Sequence, residues 1–337
     1  METMMNRQFR LRARPAGLPK RSDWDFTTTP RPEPADGEAL VRVLYISLDP
    51  AMRGWMNEGR SYIEPVKLGE VMRAGGIGQV VRSHDPAFAV GDYVTGSFGV
   101  QEYALVKAGQ AVKIEPALAP LPTWLGGLGM TGLTAYFGLL EIGRPVEGNT
   151  VLVSAAAGAT GSVVGQIAKI KGCRVVGIAG GAEKCRRVVE ELGFDAAIDY
   201  KRENLAEAFK RECPKGIDVF FDNVGGETLD AALGRLALHA RVVICGAISQ
   251  YNATTPPRGP ANYLSLLVNR ARMEGFVIFD FKDRYAEGVR ALAGWRAAGK
   301  LKLKEEIVDG LESFPEALNR LFSGENSGKL MIKVADA

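Results

Sequence analysis

Histidine is nearly absent from this 337-residue chain, which has only His84 and His239. Cysteine is scarce too. Cys173, Cys185, Cys213 and Cys245 are widely spaced and all lie beyond residue 170. That spacing matches neither a disulfide framework nor a metal cluster and points to a reducing compartment, the cytoplasm. A catalytic zinc of the Cys2His kind needs its ligands gathered around an open position. Here His84 sits in a polar loop (Arg82 to Pro86) and His239 precedes a strand, so both read as surface residues and no metal is expected. A strong charge bias is also missing. The net charge of +3 is too mild and too evenly spread for a nucleic-acid partner. The basic start, Met1 to Gly17, lacks the apolar region of a signal peptide. Residues 116–140 and 148–168 carry no charge, but prolines and glycines interrupt the first, and Asn149, Ser154, Thr160, Ser162 and Gln166 the second. Neither reads as a membrane span.

What is present divides in two. The length suggests two domains. Up to about residue 120 the pattern alternates and is punctuated by turns, which predicts a mainly β lobe built as a Gly-rich, partly open barrel. Its strands are expected at Ala39–Ser47, Gly75–Val81, Tyr93–Phe98 and Glu102–Val106. Leu125–Leu140 has helical spacing with small residues on one side. From residue 150, short apolar strands alternate with helices: Thr150–Ser154, Arg174–Ile178, Ala197–Asp199, Asp218–Asp222 and Arg241–Cys245 against Gly161–Lys171, Glu183–Leu192, Asn204–Glu212 and Glu227–Leu238. Apolar strands flanked by helices predict a parallel sheet covered on both faces. Arg272–Ile278 is a further strand, Tyr285–Gly299 a further helix, and Glu305–Val308 and Lys329–Val334 are short strands that return to the first lobe.

The strongest chemical signal follows the first strand of the α/β region. Ala155-Ala156-Ala157-Gly158-Ala159-Thr160-Gly161 is a variant of G-x-G-x-x-G with Ala156 at the first glycine position. Gly158 would let the backbone approach a pyrophosphate, and Gly161 would let the next helix pack tightly. The helix N-terminus would then face the phosphates. Its place between a strand and a helix favours a dinucleotide site over an ordinary tight turn. The next strand selects the cofactor. An NAD site places an acid about 20 residues past the glycines, whereas here the strand ends in Ala179, Gly180 and Gly181. With no carboxylate there, a 2′-phosphate is not repelled, and Lys184 is placed to pair with it. The alternative is that Lys184 is a solvated helix residue.

The segments MTGLTAYFGL (130–139), SAAAGATGSVVGQIAK (154–169), GFDAAIDYK (193–201), FDNVGG (221–226), CGAISQYN (245–252) and GENSGK (324–329) resemble the medium-chain dehydrogenase/reductase superfamily. With SLDPAMRG (47–54), they are most similar to its zinc-free prostaglandin reductase and alkenal double-bond reductase branch. The resemblance covers essentially the whole chain. It implies an α/β fold: a Rossmann doubly wound parallel sheet over 126–303 that binds NADPH, and a mainly β, GroES-like, partly open barrel domain over 1–125 and 304–337. It implies reduction of the double bond of α,β-unsaturated ketones or aldehydes by hydride transfer to the β-carbon. A quinone reductase, or an NADPH-binding structural or sensor protein, remains open at this point. The implied partner is a small conjugated carbonyl or a quinone, and the chain is expected to be a homodimer.

Site residues follow from the same resemblance. Gly158, Ala159, Thr160 and Gly161 would wrap the pyrophosphate, and Lys184 and Tyr200 would bind the 2′-phosphate end. Asn223 and the run Cys245, Gly246, Ala247, Ile248 and Ser249 would follow the cofactor to its ribose. Phe276, Val277 and Ile278 would line the nicotinamide, and Asn326 would reach it from the tail. Tyr251 would orient the substrate carbonyl as the catalytic residue. Each has a plainer reading: Cys245 and Gly246 can simply end a strand, and Tyr251 can be a packed loop aromatic. Many relatives carry an aromatic where this chain has Ala51, so Tyr45, Ala51, Met52 and Tyr263 are expected to shape the substrate pocket. Trp55 is a further candidate there.

Overall fold

The computed structural model describes residues 4–337, so the first three residues of the basic start lie outside it. The chain divides into two compact units, Met1–Leu125 with Glu305–Ala337 and, between them in sequence, Gly126–Lys304.

The first unit opens with β1 (Met5–Leu11) and β2 (Trp24–Pro30), then β3 (Ala39–Ser47), β4 (Gly75–Ser83), β5 (Tyr93–Ser97), β6 (Tyr103–Val106) and β7 (Ala111–Lys113). The second unit holds β8 (Thr150–Val153), β9 (Arg174–Ala179), β10 (Ala196–Asp199), β11 (Ile217–Asp222), β12 (Leu236–Ile244) and β13 (Arg272–Gly275). The chain then returns to the first unit with β14 (Glu305–Asp309) and β15 (Lys329–Lys333).

In the first unit β1 and β2 pair antiparallel, with Phe9 opposite Phe26 and their rings stacked 4.6 Å apart. The main sheet runs β14-β15-β3-β4-β5-β7, with β6 on β3. The sequence pattern did not foresee the hairpin, because Met5–Leu11 and Trp24–Pro30 interleave arginine, glutamine and threonine with few apolar residues. Nor did it foresee the helix Phe314–Ser323, which has Pro315 in its first turn and is followed by Gly324 in the left-handed region, a common start and stop. Phe314 packs 4.9 Å from Trp24 and 5.3 Å from Phe9, which ties tail and hairpin into one core.

In the second unit the strands are all parallel, in the order β10-β9-β8-β11-β12-β13. That is the doubly wound Rossmann order, whose direction reverses between β8 and β11. Each residue of β8 is buried, as expected for a strand covered on both faces. Burying a valine or leucine side chain contributes about 1.5–3 kcal/mol, so β8 anchors the unit. Two expectations need correction. The helix at 227–238 stops at Leu233, and Leu236–Leu238 already belong to β12. The strand at 272–278 ends at Gly275, because the Phe276 ring turns into the layer beneath the sheet against Phe221 and Gly138.

Candidate functional site

Ligands in doubly wound folds bind beyond the C-terminal strand ends at the switch point. Here that point is the loop after β8. The turn 154–158 carries Ala155 at φ +50°, a backbone region that costs an L-residue roughly 1–2 kcal/mol. Gly158 is then the N-cap of the helix Ala159–Ile170, and no side chain caps it. First-turn N–H groups have no intrahelical acceptor, so this end is built to face an anion. A Cβ on Gly161 would lie 2.3 Å from the Ala155 carbonyl oxygen. The glycine is therefore required by the close approach of helix and turn.

Beneath the turn lies a carboxylate that sequence reasoning missed. Asp222 ends β11 with no exposed surface. Its Oδ1 accepts the Ser154 hydroxyl at 2.8 Å and the Val224 N–H at 2.9 Å, and Gly225 N–H donates to both oxygens. Its main-chain carbonyl accepts the N–H groups of Cys245 and Gly246. Asn223 N–H donates to Ser154 Oγ, and its side-chain amide donates to the Ser154 carbonyl, both at 2.8 Å. One buried residue thus joins the three loops that follow β8, β11 and β12. Burial pushes its carboxyl above the ordinary carboxylate range, against the pull of the Val224 and Gly225 amides and the Ser154 hydroxyl.

The loop after β12 leans on the same anchor. Ile248 N–H donates to the Asn223 carbonyl, and both the N–H and the hydroxyl of Ser249 donate to Val224. Tyr251 closes this loop: Ala247 N–H donates to its hydroxyl at 3.2 Å, and Gly246 lies against the same oxygen.

At the β9 end, Gly181 precedes the helix Ala182–Glu190, whose first turn carries Lys184. The Tyr200 ring lies against Gly180, where a Cβ would come within 2.8 Å of it. A carboxylate is present after all, from β10. Asp199 accepts the N–H groups of Gly181 at 2.8 Å and Lys201 at 3.1 Å, so its Oδ1 is committed to the backbone. Arg187, almost buried on the helix bearing Lys184, donates to the Ala157 carbonyl at 3.3 Å, a link to the glycine turn that the sequence did not suggest.

The other expected residues lie on further elements. The Phe276 side chain is half-buried and packs against Phe221 and Gly138. Val277 is half-buried, and Ile278 is buried with its carbonyl accepting the Tyr285 hydroxyl at 3.1 Å. Tyr263 is 58% exposed on the segment Ala261–Leu264. In the first unit Tyr45 is half-buried on β3 and Ala51 begins the short helix Ala51–Trp55. Met52 is fully buried in the core. Asn326 lies before β15, its amide donating to Gly328 at 3.4 Å.

Burial raises all four thiols, Cys173, Cys185 and Cys213 to about 11 and Cys245 to about 12. Thiols raised in this way are weak nucleophiles at neutral pH. Among the described residues, no three His, Cys, Asp or Glu side chains form a group that could hold a metal ion, and no helix is long and apolar enough to cross a membrane.

Two family models match the chain: an N-terminal domain of oxidoreductase over residues 7–114 and a zinc-binding dehydrogenase over residues 159–294. The chain is 44% identical to the NADPH-dependent curcumin reductase of Escherichia coli (strain K12), over 98% of its own length and 97% of the relative's. It is 42% identical to the 2-alkenal reductase (NADP(+)-dependent) of Nicotiana tabacum, over 99% of each. The crystal structure of CurA in complex with NADPH from Vibrio vulnificus matches with a TM-score of 0.93 at 44% identity, covering 98% of this chain and 100% of that one.

Proposed function

The chain belongs to the medium-chain dehydrogenase/reductase superfamily, in its zinc-free reductase branch, and on that premise we propose that it is an NADPH-dependent oxidoreductase reducing the carbon–carbon double bond of α,β-unsaturated ketones or aldehydes. The observation that carries this reading is the side-chain-free helix N-terminus at Gly158, set at the switch point over loops joined by Asp222. Gly158, Ala159, Thr160 and Gly161 would hold a pyrophosphate. Lys184 and Tyr200, on either side of the Gly180–Gly181 turn, would take a 2′-phosphate. Asn223 and the loop from Cys245 to Ser249 would border the ribose, with Val277 and Ile278 near the nicotinamide.

Bound NADPH supplies a hydride, delivered to the β-carbon of the substrate. Charge then gathers on the carbonyl oxygen, and a preorganised hydrogen-bond donor stabilises it best in a dry site. Tyr251 is assigned that role, since its loop is already fixed through Ala247. A proton from water completes the reduction at the α-carbon. Tyr45 and the turn leading to Ala51 are assigned to the substrate side.

The reading also carries a second copy of the chain as partner. The β13 edge and the segment before it expose Tyr263, Leu264, Leu267, Val268 and Met273.

The test is NADPH oxidation over a panel of enals, enones and quinones, with NADH as control and product analysis. Saturated carbonyl products with a preference for NADPH are expected. Turnover of quinones alone would replace the reading with a quinone reductase, and cofactor binding without turnover would replace it with a non-catalytic binding protein.

A further inference from the structure

Lys329 is the first residue of β15, and its side chain is 3% exposed. Lysine is rarely buried unless paired. Its ammonium donates to the Leu48 carbonyl at 2.8 Å and to the Asp49 carboxylate at 2.7 Å. The other Asp49 oxygen accepts the Ser47 hydroxyl. The backbone ladder is already made without this pair: Met331 stands opposite Ser47, and Leu48 N–H donates to the Leu330 carbonyl at 3.2 Å. Apolar residues at both positions would fill the space at little cost, since a buried ion pair is often replaceable as a whole, whereas removing one partner leaves the other uncompensated.

What the pair adds is direction. Both acceptors lie on the turn that leaves β3, immediately before Pro50 and Ala51. We propose that Lys329 is a positioning residue, which through its buried bond to Asp49 holds the Ser47–Ala51 turn in the geometry that receives the substrate. The proposal rests on the assignment of that turn to the substrate side.

The experiment is a double-mutant cycle on the full-length protein with Lys329→Met and Asp49→Asn. It reads kcat and KM for an enone, with the NADPH dissociation constant measured separately by calorimetry, well below each variant's Tm. Misplacement of a positioning element costs between about tenfold and a hundredfold in rate. Each single variant is expected to lose that much kcat/KM for the enone, with NADPH affinity nearly unchanged and the double variant no worse than the poorer single. A Lys329→Met enzyme that matches the wild type, losses that multiply in the double variant, or losses mirrored in NADPH affinity would each overturn the proposal. Should Lys329→Met fail to fold, Asp49→Asn keeps the ammonium's bond to Leu48 and decides alone, by an enone KM that rises or does not. A wild-type enzyme that turns over no enone at all would overturn the functional reading and this proposal with it. Wild-type turnover with unaffected variants sinks only the ion pair's role.

Discussion

The hydroxyl of Ser154 donates to the carboxylate of Asp222 at 2.8 Å, and neither residue has exposed surface. Leaving buried donors without an acceptor costs about 1–3 kcal/mol. Asp222→Asn keeps one oxygen for the Ser154 hydroxyl and the Val224 N–H but turns an amide N–H toward the Gly225 N–H in place of Oδ2, and is expected to destabilise the chain by roughly that amount, with weaker NADPH binding. The pH dependence has a definite sign. The folded carboxyl titrates above its ordinary range, so between the two values the folded state keeps a proton that the unfolded state releases. Stability from this group therefore falls as pH rises through that window. Urea unfolding of wild type and Asp222→Asn from pH 4 to pH 7 measures it. A stability difference independent of pH would show that Asp222 titrates alike in both states.

The glycine turn makes two opposite forecasts. Gly161→Ala places a methyl 2.3 Å from the Ala155 carbonyl oxygen. It is expected to cost about 1–3 kcal/mol as overpacking and to raise the NADPH KM. Ala155→Gly relieves the left-handed backbone at φ +50° and is expected to stabilise by up to about 1 kcal/mol, because its greater unfolded-state entropy offsets part of the relief. Thermal unfolding of both variants checks the pair. A stable Gly161→Ala protein that binds NADPH normally would mean that helix and turn do not approach as closely as described.

Periodicity carries local structure, and the residues where it worked and failed show its reach. β3 is found at Ala39–Ser47 as expected, because its apolar residues are nearly all buried and Arg42 is its one exposed residue. The end of the helix at Leu233 was not legible, since Leu236–Leu238 continue an apolar run that suits helix or strand equally. The glycine turn was legible as a motif, but not the strained Ala155 or the Arg187 bond to Ala157. Asp222 and Lys329 fall inside the segments FDNVGG and GENSGK, but their structural roles were not legible for a different reason. Their partners lie 68 and 280 residues away, and nothing in the local pattern marks a polar side chain that a distant strand will bury.

Lys184 stands in the first turn of the helix after Gly181, and the Tyr200 ring lies against Gly180. A charge-assisted bond to a phosphate contributes about 1.5–3 kcal/mol. Lys184→Ala is expected to raise the NADPH KM roughly tenfold or more while leaving the NADH KM nearly unchanged. Steady-state kinetics with both cofactors decides the matter. Equal effects on the two would remove the 2′-phosphate assignment.

The four thiols sit at about 11 to 12, with burial the largest cause in each case. Alkylation proceeds through the thiolate, so the native protein is expected to react with iodoacetamide at pH 8 far more slowly than the same protein in guanidinium chloride. Mass spectrometry of timed samples counts the adducts. Rapid labelling of native Cys245, which is half-buried, would show that its thiol is not held above the ordinary range.

β13 is the last strand of its sheet and pairs with β12 on one side only. An exposed edge of this kind is a template for pairing with another chain. Arg272 and Glu274 flank Met273 on it, so two copies related by a two-fold axis at Met273 would set each arginine opposite the other copy's glutamate. Leu267 and Val268, 74% and 69% exposed, lie in the helix just before this strand. Light scattering coupled to gel filtration is therefore expected to give the mass of two chains. Burying a leucine or valine contributes about 1.5–3 kcal/mol, so Leu267→Asp and Val268→Asp should each weaken the dimer roughly tenfold or more. Arg272→Glu should weaken it through like-charge contact, with partial recovery in Arg272→Glu/Glu274→Arg. A wild-type protein that runs as one chain at micromolar concentration would refute the pairing, and a dimer indifferent to all these changes would place the interface elsewhere.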